Sequence, residues 1–257
     1  MFDINAGGLF GMWFPTDMLS GEFFTNYVFW LMLVGVAVIS YLLGSINSAI
    51  IISGVLYRDD IRKHGSGNAG MTNMQRTYGN GAAGLTLLGD LLKTVIAICI
   101  AGVCFGFGYI NGISVNGYGY IAGLFAVIGH VFPIYYGFKG GKGVLATATM
   151  ALVLTPWIFL ILFALFVLIV RLSRYISLGS VSTAVLYPVV VNGAFAIMFS
   201  QKPPLLIVLP TILLAILIVI CHFGNLQRIS DRTERKFYLG KKPELEIATK
   251  DSDGDEE

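Results

Sequence analysis

Ionised side chains are scarce in this sequence. Asp, Glu, Lys and Arg make up 12% of its 257 residues, about half the ~25% usual for a soluble globular domain. The deficit is concentrated. No charge occurs from Tyr27 to Leu56, from Thr94 to Phe138, from Gly143 to Val170 or from Tyr175 to Gln201. Each run can supply at least one membrane span of ~20 residues. A soluble enzyme, a disordered chain and an outer-membrane barrel with alternating polar and apolar residues are excluded. Cysteine is also scarce: Cys99, Cys104 and Cys221 all lie in apolar runs without CxxC spacing, so no disulfide framework is encoded and all three read as buried small hydrophobes. Residues 1–26 contain no Lys or Arg, so the basic start of a signal peptide is missing. They read as an uncleaved external extension. A net charge of +2 points to no nucleic-acid partner.

What remains is an all-α, polytopic integral membrane protein, because only helices satisfy their own backbone in such apolar runs. Spans are expected over about Tyr27–Ile52, Ala82–Cys104, a stretch ending near Tyr136, Tyr175–Ser200 and Leu205–Cys221. The run Gly143–Val170 is interrupted by Thr155-Pro156-Trp157. If it crosses once, six helices result. If it forms a hairpin near Pro156, there are about seven, some of them short. The hairpin places every basic cluster on one face, all but Lys93 and Lys202 of the 17 Lys and Arg. By the positive-inside rule that face is cytoplasmic, with the N-terminus outside and the C-terminus inside. The membrane domain then covers 27–237, and 238–257 is a solvated acidic tail.

The polar residues collect in a few places. The loop DDIRKHGSGNAGMTNMQRTYG interleaves Gly65, Gly67 and Gly70 with Ser66, Asn68, Thr72 and Asn73, flanked by Arg62, Lys63 and Arg76. Glycines permit close backbone approach and anion-binding nests, so this reads as a phosphate site. It is not a GxxxxGK[ST] loop. The second element, FKGGKG, places Gly140, Gly141 and Lys142 just before a helix starting near Val144, a further anion site. The third is the end of the last span, where His222 and Asn225 share a helix face ahead of Arg228, Glu234 and Lys236. Ser177 and Ser180, just past Arg174, form a weaker fourth.

Asp90 and Lys93 lie within a span, three residues apart, and read as an interior ion pair. His130 is either a structural or a ligand-facing histidine. Several mechanisms lack their signatures: there is no GxSxG elbow, no HxxxxD, no HExxH and no clustered metal ligands.

Taken together, these segments resemble the PlsY family of bacterial membrane acyl-phosphate:glycerol-3-phosphate acyltransferases, over about Ser40 to Phe237. RKHGSGNAGMTNMQRTYG resembles the family's GSGNxGATN segment. GHVFPIYYGFKGGKGV resembles GHxFPxFxxFKGGKGVAT, RYISLGS resembles RYxSLAS, and HFGNLQRISDRTERKF resembles HRxNIxRLxxGTExK. Met71 replaces an alanine, Leu145 disturbs the GVAT run, Phe223 and Gly224 replace a charged pair, and Arg232 replaces a glycine.

The resemblance implies transfer of a fatty acyl group from acyl phosphate to the 1-hydroxyl of glycerol 3-phosphate, giving lysophosphatidic acid and phosphate without a cofactor or metal. It implies a multi-pass protein of the bacterial plasma membrane with a cytoplasmic site, functionally linked to the enzyme that makes acyl phosphate. Gly65, Ser66, Gly67, Asn68 and Thr72 would hold the donor's phosphate. Arg76 and Lys142, with Gly140 and Gly141, would hold glycerol 3-phosphate. Ser180, His222 and Asn225 would line the reacting centre, with His222 either a general base or a partner in substrate-assisted transfer. Met71 and Leu145 would alter acyl-chain preference or local packing. A small-anion transporter and an acyl-CoA-dependent acyltransferase remain the alternatives.

Overall fold

The structure, a computed structural model, describes residues 22–110, 113–114 and 117–237. The acidic tail and nearly all of the expected N-terminal extension lie outside the described residues. Among the described residues ten α-helices carry the fold: α1 (Glu22–Ser45), α2 (Ser48–Tyr57), α3 (Met71–Tyr78), α4 (Asn80–Phe105), α5 (Tyr118–Val131), α6 (Val144–Leu154), α7 (Pro156–Ser173), α8 (Ile176–Phe199), α9 (Leu205–Cys221) and α10 (Phe223–Ser230). The only strands among the described residues are the two-residue pair Tyr109–Ile110 and Ile113–Ser114, between α4 and α5. The expected helical membrane protein is what the chain forms. Tyr27–Tyr57, α4, the stretch Tyr118–Tyr136 that begins with α5, α7 and α8 are each long and apolar enough to cross a membrane, α9 and α10 form a sixth candidate bent by 53°, and α6 is a shorter apolar helix. Apolar side chains such as Val55, Leu172 and Ile197 face outward, as a lipid surface requires.

The first expected span is broken. Between α1 and α2 the Asn47 side chain accepts from Ile50 N at 3.1 Å and caps α2, an N-cap role that asparagine fills well. The break leaves the Ile46 carbonyl without a helical donor, and the Lys93 ammonium donates to it at 2.9 Å. Helix α1 packs closely on α5 because a glycine from each faces the other's backbone: a Cβ at Gly44 would strike the Ala126 carbonyl, and one at Gly129 the Tyr41 carbonyl. Such small residues are the usual means of close helix contact in membranes.

The expected interruption at Thr155-Pro156 is present, with Pro156 opening α7, where its missing N–H is not needed. At 11 residues, α6 is roughly 16 Å long, short of a ~30 Å apolar core. Its end lies inside the protein. Thr155 is fully buried, donates to Ala151 O at 3.0 Å and sits 3.4 Å from the Tyr187 hydroxyl of α8. Non-helical backbone at membrane depth is tolerated where protein surrounds it. One expectation fails: Cys99 is exposed on α4 and Cys104 and Cys221 are half-buried, because an apolar helix presents such residues to lipid as readily as to protein.

The core joins α4 to α9 through Ile98, Tyr120, Val127, Met150, Leu154, Tyr187 and Leu214. A smaller cluster of Ala49, Ile61, Ala69, Met74 and Ala82 lies beneath the polar loop and fixes that loop to the helices.

Candidate active site

A cavity of about 610 Å³ opens between the polar loop, α6, α7, α8 and the α9–α10 bend. One part is polar and carries Arg76, Lys142, Asn225 and Glu234. The other is apolar and runs along Ala148, Ala151, Phe159, Leu162 and Phe166.

The polar loop owes its shape to Asn73, which is 2% exposed. Its Oδ1 accepts from Ser66 N at 3.1 Å, and its Nδ2 donates to His64 O at 2.9 Å and Ile61 O at 3.2 Å. Gly65 and Gly67 have φ of +58° and +70°, a region that favours glycine. A Cβ at Gly65 would also strike the Asn73 amide. Arg62 pins the loop to the far side of α5 by donating to Tyr136 O at 2.9 Å, while pairing with Asp60 at 2.8 Å. Ser66, Asn68 and Thr72 consequently line the cavity. Arg76 does too, exposed and without a hydrogen bond or ion pair among the described residues. Partial burial holds the Arg76 guanidinium below its usual range, neighbouring Arg235 adds to this and Glu234 works against it.

The second loop rests on α5. Gly140 N donates to Val131 O at 3.1 Å and Gly141 N to His130 O at 3.0 Å. A Cβ at Gly141 would strike the His130 ring, and one at Gly140 its carbonyl. Neither of these two glycines lines the cavity, and neither do Gly65 and Gly67. Their placement lets Lys142 project forward.

Lys142 donates to the Asn225 Oδ1. The Asn225 amide donates to Glu234 Oε1 at 2.6 Å and Ser177 Oγ at 3.0 Å, Ser177 Oγ donates to the same carboxylate oxygen at 2.8 Å, and Arg228 Nε donates to Glu234 Oε2 at 2.8 Å. Three segments distant in sequence are thereby locked together. Burial works against the charged form of Glu234, but the hydrogen bonds from Asn225, Ser177 and Arg228 outweigh it and hold the carboxyl below its usual range. Lys142 is held below the usual lysine range, chiefly by burial, with Glu234 pulling the other way.

His222 is buried, with Nδ1 2.8 Å from Ile218 O. That partner can only accept, so Nδ1 carries the proton and a neutral ring keeps its lone pair on Nε2. Ser180 lines the cavity, but its hydroxyl donates to Ile176 O at 3.0 Å. It therefore offers lone pairs rather than a proton.

The structure brings eight of the twelve expected site residues onto one cavity: Ser66, Asn68, Thr72, Arg76, Lys142, Ser180, His222 and Asn225. Sequence reasoning passed over the organising role of Asn73, Ser177 and Glu234. Asn73 stands in the glycine loop, Ser177 three residues before Ser180, and Glu234 nine after Asn225, so each had a local signal without a partner to explain it. The expected Asp90–Lys93 pair is present at 2.8 Å. It also includes Ser48, which donates to Asp90 at 3.1 Å, and His130, whose Nδ1 lies 3.0 Å from the Lys93 ammonium. Asp90 and His130 both reach the cavity wall.

Comparison with known proteins adds to this geometry. A family model described as glycerol-3-phosphate acyltransferase matches residues 34–232. A Clostridioides difficile glycerol-3-phosphate acyltransferase is 38% identical over 209 residues, covering 81% of this chain and 96% of that protein. One from Syntrophomonas wolfei is 42% identical over 199 residues, covering 77% and 94%. Two crystal structures of PlsY, an integral membrane glycerol 3-phosphate acyltransferase, are similar throughout. The glycerol 3-phosphate form has a TM-score of 0.68 at 30% identity, and the lysophosphatidic acid form 0.66 at 29%; each alignment covers 80% of this chain and 96% of that one.

Proposed function

The chain belongs to the glycerol-3-phosphate acyltransferase family and is a membrane acyltransferase that acylates glycerol 3-phosphate; we propose that its acyl donor is acyl phosphate and that transfer is direct, without an acyl-enzyme. The observation that carries this is the cavity's junction of an anion-binding mouth with an apolar channel, walled in one piece by the polar loop, Lys142 and α6–α8. An amphiphile with a phosphate on its acyl carbon matches that junction.

The anion partners divide between two phosphates. The Ser66–Thr72 segment takes the donor's phosphate. Arg76, which makes no hydrogen bond or ion pair among the described residues, and Lys142 take that of glycerol 3-phosphate through charge-assisted hydrogen bonds. Fixing both brings the glycerol hydroxyl to the acyl carbon, which is where most of the rate is gained when the leaving group is already good. His222 Nε2 accepts from the hydroxyl and orients it. Ser180 is a poor nucleophile here, since its proton is given to its own helix, and mixed-anhydride chemistry needs no covalent intermediate. The hydroxyl oxygen forms the new ester bond, the C–O bond to phosphate breaks, and phosphate leaves with the electron pair and accepts the proton.

The same reading places residues 27–237 in the bacterial plasma membrane, with the N-terminal side external and the cavity mouth cytoplasmic. The basic loops 57–80 and 138–143 and the C-terminal cations support this. It also links the protein functionally to an enzyme that makes acyl phosphate.

Purified protein in lipid nanodiscs, given acyl phosphate and glycerol 3-phosphate, is expected to release one phosphate per lysophosphatidic acid formed. Turnover with acyl-CoA and none with acyl phosphate would contradict the proposal.

A further inference from the structure

The segment after α10 returns to the cavity and is anchored at both ends. Thr233 N and Glu234 N donate to Arg228 O at 2.8 and 3.0 Å, and Phe237 N donates to Arg174 O, at the α7–α8 corner, at 2.7 Å. Between these anchors the Glu234 carboxylate is held by Asn225, Ser177 and Arg228. Arg235 comes next. It is exposed, it lines the cavity, and its side chain makes no hydrogen bond or ion pair among the described residues. The cations around it differ. Arg228 is committed to Glu234 at 2.8 Å, and Arg232 and Lys236 are exposed but do not line the cavity.

Arg76, carried by α3, lines the same cavity. The two guanidinium charges are near neighbours: after partial burial, Arg235 is the next cause that holds Arg76 below its usual range, with Glu234 opposing. Glu234 pairs with neither, since Oε1 accepts from Asn225 and Ser177 and Oε2 from Arg228. Two like charges from distant segments are therefore held close together at a cavity mouth, an arrangement that works against the fold. A phosphate turns that cost into binding, because each planar guanidinium can donate to it bidentately. The substrate that this family acylates, glycerol 3-phosphate, carries one.

We propose that Arg235 is a further substrate-binding residue, which donates hydrogen bonds to the phosphate of glycerol 3-phosphate beside Arg76. The inference rests on the assignment of Arg76 to that phosphate. The Arg228 and Arg174 carbonyls and the Glu234 network fix the backbone on either side of Arg235 before substrate arrives, so little of the ordering cost of binding falls on this segment. The pattern HRxNIxRLxxGTExK leaves the position of Arg235 open, and only its place on the cavity marks it out.

The test is steady-state kinetics in nanodiscs on Arg235→Gln, Arg235→Lys and Arg232→Gly. The last removes a cation three residues away that does not line the cavity, at a φ of +58° that suits glycine. In the glutamine variant the KM for glycerol 3-phosphate is expected to rise roughly tenfold, the lower end for a hydrogen bond to a charged group because Arg235 is exposed. Its kcat, its KM for the acyl donor and its Tm are expected to change little, the mark of lost ground-state binding. The lysine variant is expected to fall between, since it keeps the charge and loses the fork. Arg232→Gly is expected to keep the wild-type KM. A wild-type KM in Arg235→Gln overturns the inference. So does an equal rise in Arg232→Gly, which would be an effect of net field alone, and so does a rise confined to the KM for the donor. Failure of the Arg76 assignment is separable: Arg76→Ala would keep the wild-type KM while Arg235→Gln still raised it. Glycerol 3-phosphate is the acceptor whichever donor is used, so the comparison also runs on acyl-CoA if that proves to be the donor.

Discussion

Two groups of ionised side chains open on the same cavity and are built in opposite ways. Asp90 and Lys93 are 1% and 5% exposed and are matched by protein partners: the ammonium has Asp90, His130 and the Ile46 carbonyl, and the carboxylate also has Ser48. The mouth is only half closed. Glu234, Asn225, Ser177 and Arg228 satisfy one another and position Lys142, while Arg76 makes no hydrogen bond or ion pair among the described residues. Charge within a membrane is tolerated when paired, so the deep cluster holds α1, α2, α4 and α5 in register. The mouth keeps cationic capacity in reserve, which is what a binding site for two phosphates requires.

Breaking the deep cluster should give the largest effect. Asp90→Ala strands a buried ammonium, and removing one partner of such a pair costs about 3–5 kcal/mol. The expected outcome is a collapse of Tm or of folded yield, read by thermal unfolding in nanodiscs. A wild-type Tm would mean that the cluster does not hold the helices together. Arg76→Ala should do the reverse. With no hydrogen bond or ion pair to lose among the described residues, the fold should survive with little change in Tm. The KM for glycerol 3-phosphate should rise roughly ten- to a hundredfold, the equivalent of one charge-assisted hydrogen bond at ~1.5–3 kcal/mol. A fall in Tm with unchanged KM would place Arg76 with the structural group instead.

The smallest effect sharpens the contrast within the mouth. Glu234 is held below its ordinary value of 4.5 in the folded protein, so the folded state binds its proton less readily than the unfolded chain. Its contribution to stability is present above about pH 4.5 and is lost as pH falls through the lower folded value. Tm of the wild-type protein should decline across that acid range, and Glu234→Gln should flatten the decline. An identical slope in both proteins would show that Glu234 is not the group titrating.

The helices were legible because absence of charge over long runs is a direct signal of the membrane. That the two loops contribute Ser66, Asn68, Thr72, Arg76 and Lys142 to one cavity was legible because polar groups and cations gather beside their glycines. What pattern could not reach was partnership. Lys142, Asn225 and Ser177 converge on Glu234 across more than ninety residues, and no local period records that. The role of Gly140 and Gly141 was hidden for the same reason: the requirement for no side chain comes from His130, on another helix.

The measurement closest to the account's centre is the turnover of Lys142→Ala and Asn225→Ala with acyl phosphate and glycerol 3-phosphate, each variant first shown to be folded by its Tm. The account predicts that both lose most of their activity, because the hydrogen bond between these two side chains joins the glycine-lysine loop to the Ser177–Glu234 network at the reacting centre. Wild-type turnover in both would contradict it.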